Sequence, residues 1–413
     1  MLAAAGLFFP LTKLLGIAPD SQLSPGLLQK VVHAGAQSAS FAQAARDLSV
    51  LAEVRVSSQR VRRATEGVGQ ERVAQSQAAA VAYQELPLPA RQQAPGVQVP
   101  SVACVQVDGG RIQIRARLEA SRPTGYWRET KIGCLQTCHS QVQATDPCPV
   151  LPALFTDRAE MAKMDREIHG FTDANATVGE SAATSQPPRA QRPVPLVKSV
   201  VATRGDLTQF GERLVAAAHA RGFAAAPRKA FVADGAAANW SVWKEHFSHY
   251  TPILDWIHAL MYIHAAALGG WPPELAWATY RRWAQWAWEG EVARVLAELQ
   301  QRQAELGLPT DDDAEQTPRR VIAEALRYLT NQQERMRYAE YRRAGLPITS
   351  SAIESTIKQV NRRIKGSEKF WDQGAEAMLQ LVADHLSQTN ELANFWKTRH
   401  HQISKHRCYQ TAA

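Results

Sequence analysis

Apolar positions in residues 24–72 recur every three to four residues, the period of helices packed on one face. Pro25 suits a first helical turn ahead of LLQKVVHAGA. Ser40 is placed to cap SFAQAARDLSVL, whose Phe41, Ala44, Ala45 and Leu48 share one side. Ser57 or Ser58 is placed to cap SQRVRRATEGV, which opens with Arg60, Arg62 and Arg63. From residue 101 the period falls to two. SVACVQVD and RIQIRARL flank Gly109-Gly110, a two-residue hairpin signal, and a third strand, YWRETKIGCLQT, is predicted after the turn Pro123-Thr124-Gly125. The expectation is an antiparallel meander with Asp108 at the tip of its first strand. Residues 171–195, rich in Ala, Ser, Thr, Gln and Pro, read as an exposed loop. The chain then alternates: a helix over about 206–222 stopped by Gly222, the strand AFVADG, a helix near 239–247, the strand PILDWI, and a helix from about His258. That rhythm predicts parallel strands added to the meander. Residues 271–343 carry no strand signal and read as helices broken at LGLPTDDDAEQTP, and a last long helix begins near Thr349 to Ser351.

A chain of 413 residues is long for one core, and its 45% hydrophobic and 21% charged content is that of a globular protein. The formal charge of +8 favours a polyanionic partner, nucleic acid before a membrane surface. Five cysteines, few and odd in number, suit a reducing cytoplasm. Cys134, Cys138, His139 and Cys148 invite a zinc reading, but C-x3-C-H-x8-C is no regular finger spacing. The apolar opening MLAAAGLFFPLTKLLGIA is interrupted by Pro10 and Lys13 and reads as a packed edge, not a signal or a membrane span. A short helix, a turn and a helix with a basic opening is the helix-turn-helix layout, which assigns DNA contact to Arg60, Arg62 and Arg63; a solvated face on a small bundle is the plainer alternative.

Three carboxylates in unlike contexts carry the chemistry. Asp108 and Asp234 end apolar runs, and Glu354 lies one turn into a basic helix. Singly, each has an ordinary explanation: Asp-Gly pairs form turns, and Ser351-x-x-Glu354 is a capping box. Together they make a hard-oxygen set for Mg²⁺ or Mn²⁺, suited to two-metal attack on a phosphodiester. Gly109 and Gly235 follow the aspartates and keep side chains away from metal or phosphate. Lys358 and Arg362 repeat at four-residue spacing from Glu354, and with Arg363 and Lys365 they form a basic row for a DNA backbone. Asp255 and His258, at i,i+3 spacing, form a supporting pair that stabilises the core or assists the site. Trp271, Trp277, Trp283, Trp286 and Trp288 are expected mostly in a helical core, with base stacking as the alternative.

Three antiparallel strands followed by helix, strand, helix, strand, helix is the ribonuclease-H-like order. The blocks VDGGRIQIR, WRETKIGCL, FVADGAAANW with ILDWIHAL, and GLPITSSAIESTIKQVNRRIKGSEKFW resemble bacterial insertion-sequence DDE transposases of the Kra-type family, over residues 25 to 400. The resemblance implies an α/β fold: a ribonuclease-H-like mixed sheet interrupted by an all-helical insertion, behind an N-terminal helix-turn-helix-like domain. The corresponding segments are 1–75 (DNA-binding), 76–100 (linker), 101–270 (first part of the core), 271–345 (insertion), 346–400 (acidic C-terminal helix of the core) and 401–413 (tail). It implies Asp108, Asp234 and Glu354 as the metal-binding catalytic triad, Asp255 and His258 as a D-x2-H signature, and Asn331 and Arg335 in the helix ahead of the glutamate. The implied partners are terminal inverted repeats, target DNA and a second copy of the chain. The implied reaction is end cleavage followed by joining of the 3′-hydroxyl. A nuclease without strand transfer and a DNA-binding repressor are the alternatives. GSEKFW stands where many relatives have a Gly-Met-Arg-Trp type sequence, a departure that bears on how target or flanking DNA is handled.

Overall fold

In the computed structural model the chain runs straight through Asp108-Gly109-Gly110 as one strand, β1 (Val102–Ile114). This corrects the expected hairpin. A two-residue turn of that kind needs positive φ at its glycines, and neither Gly109 nor Gly110 is among the glycines with positive φ. Asp108 therefore sits in mid-strand, paired with Ile132 of β2 (Trp127–His139). The structure describes residues 23–114, 127–168, 192–366, 369–371 and 373–405. The apolar opening, the Pro123-Thr124-Gly125 turn, most of the 171–195 loop, Ser367 and Glu368 of GSEKFW, and most of the tail lie outside those residues.

The third strand of the antiparallel set is β3 (Val194–Thr203), which the sequence reading passed over. Its first half is exposed and carries Pro195, and its buried stretch runs from Ser199 to Thr203. Proline is tolerated there because β3 is the sheet edge. On the other side of β1 lie β4 (Arg228–Ala233) and β5 (Thr251–Leu254), both parallel to it, as the βαβ rhythm predicts. The sheet order is β3-β2-β1-β4-β5, and β6 (Phe370–Trp371) pairs with the far end of β1. The fold is thus α/β with a mixed sheet.

Helices α1 (Pro25–Gln37), α2 (Phe41–Leu51) and α3 (Ser58–Glu85) form the N-terminal part, and α4 (Leu88–Gln92) follows. Ser40 caps α2 by accepting the Gln43 N–H, and Ser57, not Ser58, caps α3. Helix α3 passes through residue 75 without a break. After β2 comes α5 (Arg158–Ile168), then α6 (Leu207–Ala220), which ends ahead of Gly222 at φ 70°, and α7 (Ala237–His246). After β5 come α8 (Trp256–Gly270), α9 (Pro273–Glu289), α10 (Val292–Leu306), α11 (Pro318–Gln332) and α12 (Tyr338–Arg343). Residues 271–345 carry no strand, and Trp283 and Trp288 are buried in the same core as the sheet, with Trp271, Trp277 and Trp286 packed against it. The tryptophans are core, as expected from their spacing. The chain closes with α13 (Ser351–Ile364), α14 (Ala375–Leu386) and α15 (Glu391–Lys405).

Helices α13 and α14 cover one part of the sheet through Ile353, Val360, Met378 and Leu379 against Ile112, Ile132 and Val200. The N-terminal helices share a further core with the C-terminal ones: Val31, Val61 and Val68 meet Leu381 and Trp396. A Cβ on Gly69 would lie 2.6 Å from the Ala377 carbonyl oxygen, so glycine lets α3 and α14 approach this closely. Among the described residues no helix is long and apolar enough to cross a membrane.

Candidate metal centre

Strand register brings three aspartates into a row. Val107 pairs with Ala233, and Ala233 pairs with Leu254, so Asp108, Asp234 and Asp255 each follow a paired residue on β1, β4 and β5. The Asp255 N–H also donates to the Ala233 carbonyl at 2.8 Å, which fixes the end of β5 against β4. Strands β4 and β5 end together beside the middle of β1, beneath incoming helices, a natural place for a site in an α/β sheet.

Each acid is held differently. Asp108 Oδ1 accepts the Gly109 N–H at 2.6 Å. Asp234 Oδ1 accepts the Ala236 N–H at 3.0 Å and the Asn239 side-chain amide at 2.7 Å. Asp255 is fully buried and caps α8: its Oδ2 accepts the His258 backbone N–H at 3.0 Å and the His258 Nδ1–H at 2.8 Å. Glu354 Oε1 accepts the Ser350 hydroxyl at 3.1 Å.

The expected capping box does not form. Ser350, not Ser351, is the residue before α13, and its hydroxyl serves Glu354 and not the helix N–H groups. The first-turn Ile353 N–H is taken by Gln106 of β1 instead, at 3.0 Å. That leaves Glu354 free to face the aspartates. The glycine reading also changes. A Cβ on Gly109 would make only ordinary contact with Glu129, whereas one on Gly235 would lie 2.2 Å from the Tyr328 ring of α11. Glycine at 235 therefore admits a tyrosine of the helical segment against the site. Gln332 donates to the Gly235 carbonyl at 3.3 Å, and Arg335 donates to Gln332 at 2.7 Å while lying 4.3 Å over the Trp240 ring. Asn331 is exposed.

Electrostatics confirm that these groups feel one another. Burial and the Asp234 charge push the Asp108 carboxyl up to about 6, against the Gly109 N–H and His258, which hold it down; Glu354 adds to the rise. Burial and the Asp255 charge raise Glu354, offset in part by Ser350, His258 and Lys358. Burial alone would lower His258, but the Asp255 hydrogen bond and the charges of Asp255, Asp234 and Glu354 carry it up to about 9. The imidazole is therefore protonated at neutral pH, a cation inside a group of acids.

Ligand atoms of Asp255, His258 and Glu354 lie within 4.8 Å of one another, a set able to hold a metal ion and the only such group among the described residues. Asp255 and His258, expected as a supporting pair, fall within this set. Asp108 and Asp234 stand beside this set, coupled to it by charge. Among the described residues Cys134 and Cys138 fall in separate core clusters, and burial pushes their thiols up to about 11 and about 12. A bulge at Thr137/Cys138 separates them on β2.

The basic row divides. Lys358 and Arg362 are exposed on α13 and Lys365 is exposed just past its end, 5.6 Å over the Trp127 ring. Arg363 is not a surface contact. It is 5% exposed, donates to the Gly35 carbonyl at 3.1 and 2.9 Å, and lies over the Phe41 and Trp371 rings; burial lowers its pKa to about 10. Spacing of five from Lys358 turns it inward, onto α1. On α3, Arg63 is exposed, Arg62 pairs with Glu66 at 2.8 Å, and Arg60 is half-buried. Gln106 and Ser350 were missed as site residues, although a lone glutamine inside the apolar run VACVQV is a readable signal. No protein-family model matches the chain, and no curated protein matches it.

Proposed function

We propose that the chain is a metal-dependent DNA transposase of the DDE type, akin to the Kra-type insertion-sequence enzymes, with a ribonuclease-H-like core interrupted by the helices of 271–345. The sheet order β3-β2-β1-β4-β5, antiparallel then parallel, supports the core. The observation that carries the function is the row Asp108, Asp234, Asp255 across three adjacent strands, with Glu354 brought to it by α13.

The donor set fits a divalent cation. Four carboxylates stand around one imidazole, and the Asp108 carboxyl is raised first by burial and then by the charge of Asp234. Mg²⁺ or Mn²⁺ bound there supplies Lewis-acid activation of the attacking hydroxyl and stabilisation of the leaving oxygen. In this reading Asp108, Asp234 and Glu354 would hold it, because carboxylate oxygens suit these ions, although among the described residues only Asp255, His258 and Glu354 bring ligand atoms within 4.8 Å of one another. His258, tied to Asp255, would join the ligands only on giving up its proton, since a metal-bound imidazole must be neutral. Its role in this reading is to balance the carboxylates and to offer a positive charge to a phosphate. Ser350 orients Glu354, and Asn239 orients Asp234. Lys358 and Arg362 on the helix that carries Glu354, and Lys365 just past its end, face solvent where a DNA backbone would lie. Pairing of two element ends implies at least a dimer on DNA.

The test uses labelled DNA carrying the element's end, with Mg²⁺ or Mn²⁺, and compares wild type with Asp108→Asn, Asp234→Asn and Glu354→Gln. The expected outcome is that wild type nicks and joins, while all three variants bind the end but neither cut nor join. Binding without cutting by wild type would establish a repressor; cutting without joining would establish a nuclease; cutting by the variants would place the site elsewhere.

A further inference from the structure

Glu354 reaches the sheet only after the helices of 271–345, so the start of α13 must be fixed against β1 by something other than chain continuity. Two side chains from the sheet do this. Gln106, 1% exposed in the middle of β1, accepts the Ile353 N–H through Oε1 at 3.0 Å and donates through Nε2 to the Thr349 carbonyl at 3.4 Å. Asp255 Oδ1 accepts the Ser350 N–H at 2.6 Å. The Ser350 side chain makes no cap hydrogen bond to the helix it precedes, so the cap comes from another element.

Gln106 and Asp108 are two residues apart on one strand, and side chains at that spacing leave the same face. Ile353, which Gln106 holds, directly precedes Glu354. One amide side chain thus joins the strand of the first acid to the helix of the last. Packing alone does not call for glutamine here: Cys104, which leaves the same face, and Cys134, the partner of Gln106 on β2, are apolar and buried, and a leucine would fill comparable space.

We propose that Gln106 is a positioning residue that sets Glu354 against Asp108 and thereby tunes divalent-cation affinity. This rests on the reading of the acid cluster as a metal centre. Gln106 acts through Glu354, as outer-shell partners of metal ligands do, and losing such a partner weakens metal binding by roughly ten- to a hundred-fold.

The experiment is Mn²⁺ binding to the full-length protein, followed by the electron paramagnetic resonance signal of free Mn²⁺, with thermal melting and end-DNA binding measured alongside. Gln106→Leu and the more adaptable Gln106→Met are compared with wild type and Glu354→Gln. The expected result is that at least one Gln106 variant melts cooperatively and binds DNA as wild type does, yet binds Mn²⁺ about ten-fold or more weakly. Wild-type Mn²⁺ affinity in a folded Gln106 variant, with Glu354→Gln weakened, overturns the positioning role alone. If Glu354→Gln itself binds Mn²⁺ as wild type does, the metal-centre reading falls. If neither Gln106 variant folds, the residue serves the fold and the positioning role is overturned as well.

Discussion

Beside the middle of β1 and the ends of β4 and β5, the carboxylates of Asp108, Asp234 and Asp255, with Glu354, share one imidazole, His258. Between α3, α6 and α14, buried charges meet one for one instead. Arg72 forms a bidentate pair with Asp384 at 2.8 and 3.1 Å, and Arg213 pairs with Glu376 at 2.7 Å. Gln380 links the two pairs, donating to Asp384 and accepting from Arg213, while Thr203 and the Arg204 N–H satisfy Glu376. Both regions bury ionised groups, and only the second is balanced. A balanced network holds elements together; an unbalanced one is costly to the fold and is what a site proposed to take up a cation would show.

That contrast can be broken most forcefully in the balanced region. Asp384→Asn leaves Arg72 buried beside a neutral partner, and the expected loss is about 3–5 kcal/mol in denaturant unfolding. A loss under about 1 kcal/mol would show that water reaches the pair and that the network is not truly buried.

In the unbalanced region the sign reverses. The Asp108 pKa of about 6 lies above its ordinary value of 3.8. The native state therefore holds a proton that the unfolded chain has released between those values, and the associated stability is complete below about pH 4 and lost as pH rises through 6. Asp108→Asn removes a carboxylate that burial and the Asp234 charge both disfavour, so it should stabilise the protein at pH 7.5 by up to about 3 kcal/mol, with the gain vanishing near pH 4. Melting curves of wild type and variant across that range check it, and a destabilised Asp108→Asn at pH 7.5 would remove the basis of the comparison. The exposed pair Arg62–Glu66 calibrates the small end: Arg62→Ala should change stability by no more than about 0.5 kcal/mol.

The parts of this fold that were readable in sequence are those whose cause is local. Ser40 caps its helix, Gly222 stops one, and the apolar runs before Asp234 and Asp255 become parallel strands. The misreadings all concern partners far along the chain. Gly109-Gly110 looks like a turn until β2 pairs through it on one side, and Pro195 looks like a loop until β3 is placed at the edge. Arg363 looks like a row member until α1 and Trp371 enclose it. For the site, the aspartates and Glu354 stood out by context, but the strand register that adds Asp255 to their row is a tertiary fact. Ser351-x-x-Glu354 carries a capping signal that a β-strand glutamine supersedes, and no local pattern encodes that.

Asp108 and Glu354 lie 246 residues apart (354 − 108), with the whole helical segment between them. At about 5–20 residues per second of synthesis, roughly 12–50 s separate their appearance on a ribosome. During that interval β1, β4 and β5 can pair, but α13 is not yet present to be docked by Gln106 and Asp255. The row of aspartates is then an incomplete centre on a growing chain. The long connection makes docking of the last acid a late folding event, so that the acid cluster is complete only when the structure around it is finished.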